Sequence, residues 1–304
     1  AFVVTADRSR RNRSRLALSP EEHPVGAQLM GSVPEDFPPA ALRLVEEGYD
    51  VIDVNFGCPV KKVLGRCRGG YLLGVPETAL DIVARVRDAV PARVPVTLKM
   101  RRGIDDSPES ADRFWTIFDG AFARGVAAIT VHGRTVKQKY VGPSDWEFLA
   151  GVKRHAGTRV VFGSGDLFSP GACRAMMETT GVDGVSVARG AIGNPWIFAQ
   201  TLAALAGEPV PGPPTIRAQA DVLREHWALA VDLHGEDLAG RSMRKFAIKY
   251  ARLHPEPLAV RDAFVAVKVN ADWQAVLDRF YAVDGPGRDP SADVDETADC
   301  AETA

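Results

Sequence analysis

Cys58 stands in Asp53-Val-Asn-Phe-Gly-Cys-Pro59, where an apolar run meets a loop that Gly57 and Pro59 hold to a tight path. A cysteine beside a strand is ordinarily a small buried hydrophobe. The loop that follows argues otherwise, because it carries Lys61, Lys62, Arg66, Arg68 and the pair Gly69-Gly70. It reads as cationic and mobile, so the thiol should be reachable, and a thiol there can act as proton donor or nucleophile. Cys67, on the same loop, reads as exposed and without a role. Lys99 lies in Pro95-Val-Thr-Leu-Lys-Met-Arg101, a run whose neighbours on the strand are apolar. A buried ammonium there needs an anionic or carbonyl partner, or an ion pair with an acid such as Asp53. His132, in Ile129-Thr-Val-His-Gly-Arg134, reads equally as a core histidine satisfied by backbone and as a ligand group.

Two glycine-containing turns, Gly163-Ser-Gly-Asp166 and Ala188-Arg-Gly190, suit a phosphate seated on backbone N–H groups. Arg241, Lys245, Lys249 and Arg252 recur at helical spacing opposite Met243, Phe246, Ala247 and Tyr250, and no acid interrupts Arg241 to His254. That face is either an ordinary solvated surface or one that meets phosphodiesters. The four cysteines, Cys58, Cys67, Cys173 and Cys300, show neither CxxC spacing nor a histidine partner. They point to a reducing compartment and to no metal.

These groups need a frame that brings them together. Short β-branched runs predict strands at Phe2–Thr5, Val25–Leu29, Val51–Asn55, Val96–Met100, Ala128–His132, Arg159–Gly163 and Gly184–Ala188. Helical periodicity between them predicts Pro38–Glu47, Glu77–Ala89, Ser110–Arg124, Trp146–Arg154 and Ser169–Thr179. The alternation is that of an α/β chain, a TIM (β/α)8 barrel lacking its first β-α unit, so the chain is expected to start inside the second unit. Gln28, Asn55 with Cys58, Lys99 with Arg101, His132 with Arg134, Asp166 and Arg189 then fall at the C-terminal ends of strands, the rim where such barrels build sites.

After Phe198 only helices are expected, past a Pro-rich linker at Pro209–Pro214: Ile216–Leu233, Leu238–Leu253 and Asp262–Ala282. The division is a barrel over 1–204, a small all-helical domain over 215–283, and an acidic, structureless tail over 284–304. That tail holds seven acids and one arginine, so removing its net −6 from the formal total of −2 leaves the rest near +4. A mildly basic body permits a nucleic-acid partner. With 46% hydrophobic and 25% charged residues the composition is that of a folding globular enzyme. No apolar run approaches membrane-spanning length, and the Arg-rich opening (Arg8, Arg10, Arg11, Arg13, Arg15) follows an apolar strand rather than a leader. A cytoplasmic protein is expected.

With these residues assembled, the chain resembles the bacterial tRNA-dihydrouridine synthases from about Phe2 to Ala282. The matching stretches are Asp53-Val-Asn-Phe-Gly-Cys-Pro59 with Lys61-Lys62-Val63, Gly69-Gly70-Tyr71-Leu72-Leu73, Val96-Thr-Leu-Lys-Met-Arg101, Val131-His-Gly-Arg134, Gly165-Asp166 and Arg189-Gly-Ala-Ile-Gly-Asn-Pro-Trp-Ile-Phe198. The resemblance implies FMN held by Gln28, Lys99, His132, the turn Ser164, Gly165 and Asp166, and the turn Ala188 and Arg189. It implies Cys58 as the acid, Asn55 beside flavin and uracil, and NADPH or NADH as reductant. It implies tRNA as partner, with Lys61, Lys62, Arg101, Arg134, Arg241, Lys245, Lys249 and Arg252 as its contacts, and a monomer with no obligate protein partner. The family's first strand, with its Pro-Met-Ala loop, has no counterpart, Ser164 stands where Asn is usual, and Ala188 where Gly is usual.

Two other readings share part of this pattern. One is another FMN barrel acting on a free pyrimidine, as dihydroorotate dehydrogenases do, although a free pyrimidine needs neither the cationic loop nor the helical domain. The other is a flavin-free tRNA-binding protein derived from the family, against which Cys58, Lys99 and His132 stand.

Overall fold

The computed structural model describes residues 2–3 and 18–290, with the side chains of residues 2, 3, 237 and 241 outside the description. The strands are β1 (Phe2–Val3), β2 (Gly26–Met30), β3 (Val51–Phe56), β4 (Val96–Arg101), β5 (Ala128–His132), β6 (Val160–Ser164) and β7 (Gly184–Val185). The α-helices are α1 (Phe37–Glu46), α2 (Lys61–Leu64), α3 (Pro76–Ala89), α4 (Pro108–Ala123), α5 (Trp146–Ala156) and α6 (Pro170–Thr180), followed by α7 (Ile197–Ala206), α8 (Ile216–His234), α9 (Glu236–Tyr250), α10 (Pro257–Ala266) and α11 (Asn270–Phe280). The chain divides into two compact units. Of the described residues, the first takes those up to Asp166 together with Met176–Ser186, and the second takes Leu167–Ala175 and everything from Val187 onward.

In the first unit all seven strands lie in one sheet in sequence order, and every neighbouring pair is parallel. Parallel neighbours in sequence order with helical crossovers are the arrangement of a TIM-barrel-like α/β fold. Side chains alternate across the strands. Ile52, Val54 and Phe56 of β3 and Val96, Leu98 and Met100 of β4 are fully buried, while Asp53, Asn55, Thr97 and Lys99 lie on the other face, half-buried. The period of two thus sorts core from chemistry within one strand.

Helices cover the apolar face at the spacing expected of them. Phe37, Ala41 and Leu44 of α1, Ala79, Ile82, Val83 and Val86 of α3, and Phe114, Ile117, Phe118 and Ala121 of α4 are buried. Each fully buried large side chain among them contributes about 2 kcal/mol relative to exposure. Their starts are written in the sequence: Pro76 and Pro108 open α3 and α4, the Ser107 side chain accepts from Ser110 N at 3.2 Å, and the Asp145 side chain accepts from Phe148 N at 2.8 Å.

The second unit is helical around Leu223, Trp227, Met243, Val260, Phe264, Trp273 and Leu277, with the Trp227 and Trp273 rings stacked at 4.6 Å. Two expectations are corrected here. The single helix read over 262–282 is two, α10 and α11, because Val267 turns extended and the Asp272 carboxylate accepts from Lys268 N (2.9 Å) and Val269 N (3.2 Å) to start a new helix. Residues 284–290 are held in place, where a structureless tail was read. Ile216 N donates to Gly285 O, Arg217 N to the Asp284 carboxylate, and Arg288 N to Leu253 O. Backbone partners on two other segments supply what the missing apolar groups do not. The rest of that acidic segment, and the Arg-rich opening, lie outside the described residues. No described helix is long and apolar enough to cross a membrane.

Candidate active site

The site is a chain of side-chain amides read across three strands. Register sets Gln28 of β2 beside Asp53 of β3, Asp53 beside Thr97 of β4, and Asn55 beside Lys99. Gln28 Nε2 donates to Asp53 Oδ2 at 2.7 Å, and Thr97 Oγ1 donates to Asp53 Oδ1 at 2.6 Å. Asn55 Nδ2 donates to Gln28 Oε1 at 2.7 Å, and Asn55 Oδ1 accepts from Gly57 N (2.9 Å) and Cys58 N (3.1 Å). Asn55 and Cys58, expected as neighbours in the chemistry, are joined directly. Asp53 was read only as an alternative ion-pair partner for Lys99, and Thr97 went unread; the signal is their spacing of two from Asn55 and Lys99, which puts them on the same face.

Cys58 is a half-buried free thiol on the loop after β3. The segment beyond it, read as a loop, forms two helical pieces, α2 and the 3-10 segment Gly69–Gly74. The reason is backbone contact: Gly70 N donates to Cys58 O at 3.0 Å, and Gly69, with φ +58, lies so close that a Cβ there would press on Cys58 Cβ. Lys61 and Lys62 on α2 are exposed, as is Cys67.

Burial pushes the Lys99 ammonium down to about 8, with Arg101 adding to the fall and Asp53 opposing it. Among the described residues no hydrogen bond or ion pair engages Lys99 Nζ, so the direct pair with Asp53 considered from sequence is not formed; only their longer-range attraction remains. Burial likewise raises the Asp53 carboxyl, against the hydrogen bonds from Thr97 and Gln28. His132 at the end of β5 is buried, its Nδ1–H donating to Ser164 O at 3.0 Å. Burial, then the charges of Arg101 and Lys99, hold the ring far below the usual imidazole range, so it is neutral. Its Nε2 is therefore a lone-pair acceptor, buried and without a partner.

Two charged residues read as RNA contacts, Arg101 and Arg134, are buried. Arg101 is buried, and its guanidinium bonds Gly57 O (2.9 Å), Thr135 O (2.9 Å) and Lys139 O (2.7 Å), tying the Cys58 loop to the loop after β5. Arg134 is buried against both carboxylate oxygens of Asp166 and Gly142 O. Both guanidinium groups are spent on partners within the protein and hold loops together. The Asp166 carboxylate, in turn, faces Arg134 and accepts from Ser144 N at 2.7 Å, so what this turn presents to a ligand is backbone rather than that carboxylate. Ser164 is buried, and a Cβ on Gly165 (φ +127) would collide with Ser144.

In the second unit the Ala188-Arg189 turn is a 3-10 turn, Arg189–Ala191. The Arg189 guanidinium lies 5.1 Å over the Phe168 ring, and Gly190 is packed so closely on Leu167 O that a Cβ would not fit. Met243, Ala247 and Tyr250 of α9 face the helical core; Lys245 is exposed, its Nζ 4.9 Å over the Phe246 ring, while Lys249 and Arg252 are half-buried. The Arg241 side chain lies outside the described residues. Among the described residues no group of three His, Cys, Asp or Glu is placed to hold a metal ion.

A thiol, two carboxamides, an ammonium and a neutral imidazole at the C-terminal ends of successive parallel strands define a βα-barrel type of enzyme with a polar rim site. The chain belongs to the dihydrouridine synthase (Dus) family, whose model matches residues 3–282. A protein named probable tRNA-dihydrouridine synthase from Mycobacterium tuberculosis is 41% identical over 265 residues, 86% of this chain and 67% of that protein. One named tRNA-dihydrouridine synthase B from Pseudomonas aeruginosa is 35% identical over 285 residues, 92% of this chain and 84% of its own. A solved 2-naphthoyl-CoA reductase complex aligns over 58% of this chain and 29% of its own at 15% identity and a TM-score of 0.43, too distant a likeness to bear on the site.

Proposed function

We propose that this chain is a tRNA-dihydrouridine synthase, an oxidoreductase that saturates the 5,6 double bond of uridines in tRNA, with FMN as its flavin and NADPH or NADH as reductant. The observation that carries the reading is the seating of Cys58 on Asn55 in a site that also holds two polar groups without a hydrogen-bond partner among the described residues, Lys99 Nζ and the buried His132 Nε2. Such groups fit a flavin: the ammonium suits the carbonyl-bearing pyrimidine edge, and the imidazole lone pair suits an O–H or N–H donor. Gln28 and the Ser164, Gly165 and Asp166 turn complete the proposed cradle in the first unit, the turn through its backbone. Ala188 and Arg189 keep their assignment to the cofactor as part of the same proposal.

Reduced FMN, when bound, supplies the hydride that adds to C6 of the uracil. Cys58 Sγ–H delivers the proton to C5, so the double bond gains one hydride and one proton and the two electrons come from the nicotinamide reductant. Asn55 fixes the Cys58 backbone and holds the base. Lys61, Lys62, Lys245, Lys249 and Arg252 meet phosphodiesters, and the target base leaves its stack to reach the thiol. In this reading 1–204 carries the chemistry, 215–283 holds the tRNA, and a monomer in the cytoplasm suffices.

The test is a visible spectrum of the purified chain for bound flavin, then NADPH-dependent formation of dihydrouridine in a tRNA transcript beside free orotate. A yellow protein active on tRNA alone supports the reading. Turnover of orotate and not tRNA transfers it to a free-pyrimidine enzyme, and tRNA binding without flavin transfers it to a binding protein.

A further inference from the structure

Asp53 touches neither end of the reaction, yet it terminates the amide chain. Asp53 accepts at both oxygens, from Gln28 Nε2 at Oδ2 and from Thr97 Oγ1–H at Oδ1, so the Gln28 amide turns its Nε2 toward Asp53 and leaves Oε1 to accept from Asn55 Nδ2. Asn55 is held the same way at its far end, since Gly57 N and Cys58 N are donors and need its Oδ1. Reversing either amide would set donor against donor. Thr97 Oγ1–H occupies the second carboxylate oxygen, so Asp53 has no reason to rotate.

The polarity has a consequence for what binds. Each amide nitrogen carries two hydrogens, and among the described residues each spends one inside the chain. Gln28 and Asn55 therefore each keep one N–H, and Lys99 on the next strand adds an ammonium with no partner among the described residues. The group they face must supply oxygen or nitrogen acceptors. A pyrimidine ring with its carbonyl oxygens does so, whether it is the flavin's or the substrate's.

We propose that Asp53 is a positioning residue which, through Gln28, fixes the Gln28 and Asn55 amides as donors toward the carbonyl oxygens of the bound pyrimidine rings. The proposal rests on the flavin-dependent reading above and adds to it the residue that, at the far end of the chain from the Gly57 and Cys58 N–H groups, locks the site's donor polarity. It differs from a purely structural role, which would lower stability without altering how the ring is held.

The wild-type chain, Asp53→Asn and Asp53→Leu are compared by thermal unfolding, by FMN dissociation constant from quenching of flavin fluorescence, and by kcat and KM for a tRNA transcript. Asp53→Leu, with no acceptor, is expected to weaken FMN binding tenfold or more and lower kcat at least tenfold, with KM for tRNA within twofold, because the exposed lysines are untouched. Asp53→Asn keeps one acceptor oxygen and is expected to fall between. A folded Asp53→Leu with wild-type FMN affinity and kcat overturns the proposal. Where Asp53→Leu does not fold, Asp53→Asn decides: FMN binding at least threefold weaker at an unfolding temperature near wild type supports it, and unchanged binding overturns it. Wild-type protein that takes up no FMN and turns over no tRNA removes the flavin reading and the proposal together; FMN uptake with an indifferent Asp53 removes the proposal alone.

Discussion

Arg134 Nη2 meets both carboxylate oxygens of Asp166, at 2.7 and 2.9 Å, with the arginine side chain 1% exposed and the aspartate 25%. Asp166 has φ +58, a strained conformation for a residue with a side chain, and this pair with the Ser144 N–H holds it there. Arg134→Met is expected to cost about 3 kcal/mol, since it leaves a carboxylate without its partner. Urea unfolding measures it, and Arg134→Met with Asp166→Asn should recover part of the loss. A cost under about 0.5 kcal/mol for the single variant would show that the pair does not hold the turn.

Cys58→Ala should leave FMN uptake and its reduction by NADPH intact and lower turnover on tRNA by about a hundredfold or more, the usual worth of a positioned acid. Stopped-flow bleaching of the flavin separates the two half-reactions. Unchanged turnover takes the acid role away from Cys58.

Lys99 gives a pH signature. Burial lowers its ammonium to about 8, and an acceptor-bearing ring favours the charged form. The complex therefore holds its proton to higher pH than the ligand-free protein, so FMN affinity is full below about pH 8 and declines as pH rises through it. Fluorescence titrations at pH 7 and 9 should show the weakening, and Lys99→Met should bind weakly at both with no slope between them.

Part of this was legible in the sequence. The strands over 51–56, 96–101 and 128–132 announce themselves by β-branched alternation, and the residues carrying Cys58, Lys99 and His132 follow from where those runs stop. Arg101 and Arg134 were read as RNA contacts because an arginine's pattern in sequence is the same whether it faces solvent, three carbonyl oxygens or a carboxylate. The pairing of Asp53 with Thr97 was missed because it runs across strands: 44 residues separate them, and only the register of β3 on β4 sets them side by side. The break between α10 and α11 was lost because its cause is a capping carboxylate, Asp272, in a run otherwise helical by period.

Asp183 should shape the acid limb of stability. Its burial raises the carboxyl, but hydrogen bonds from Lys153 Nζ and Val161 N outweigh that and leave it below the ordinary value of 3.8. A depressed carboxylate contributes stability above its unfolded pKa and loses it as pH falls through the folded one. Asp183→Asn should therefore flatten the fall in thermal stability from about pH 4 downward while lowering stability at pH 7. An unchanged acid profile would assign that limb to other carboxylates.

Lys245 is an exposed cation on α9. Lys245→Ala should weaken tRNA binding and reduce the slope of log affinity against log salt by about one, as the loss of one phosphate contact does. A slope equal to wild type places the RNA elsewhere.

The Arg101 clamp grips Gly57, Thr135 and Lys139 only by their carbonyl oxygens. Main-chain oxygens are the same in every amino acid, so the side chains at Thr135 and Lys139 can drift through mutation while the Cys58 loop stays where it is; in this loop the Tyr140 ring, 5.5 Å under the guanidinium, is a side chain the clamp does meet. A loop held this way can vary in composition and inherit its path unaltered, and sequence diversity among relatives should concentrate on what the clamp does not read.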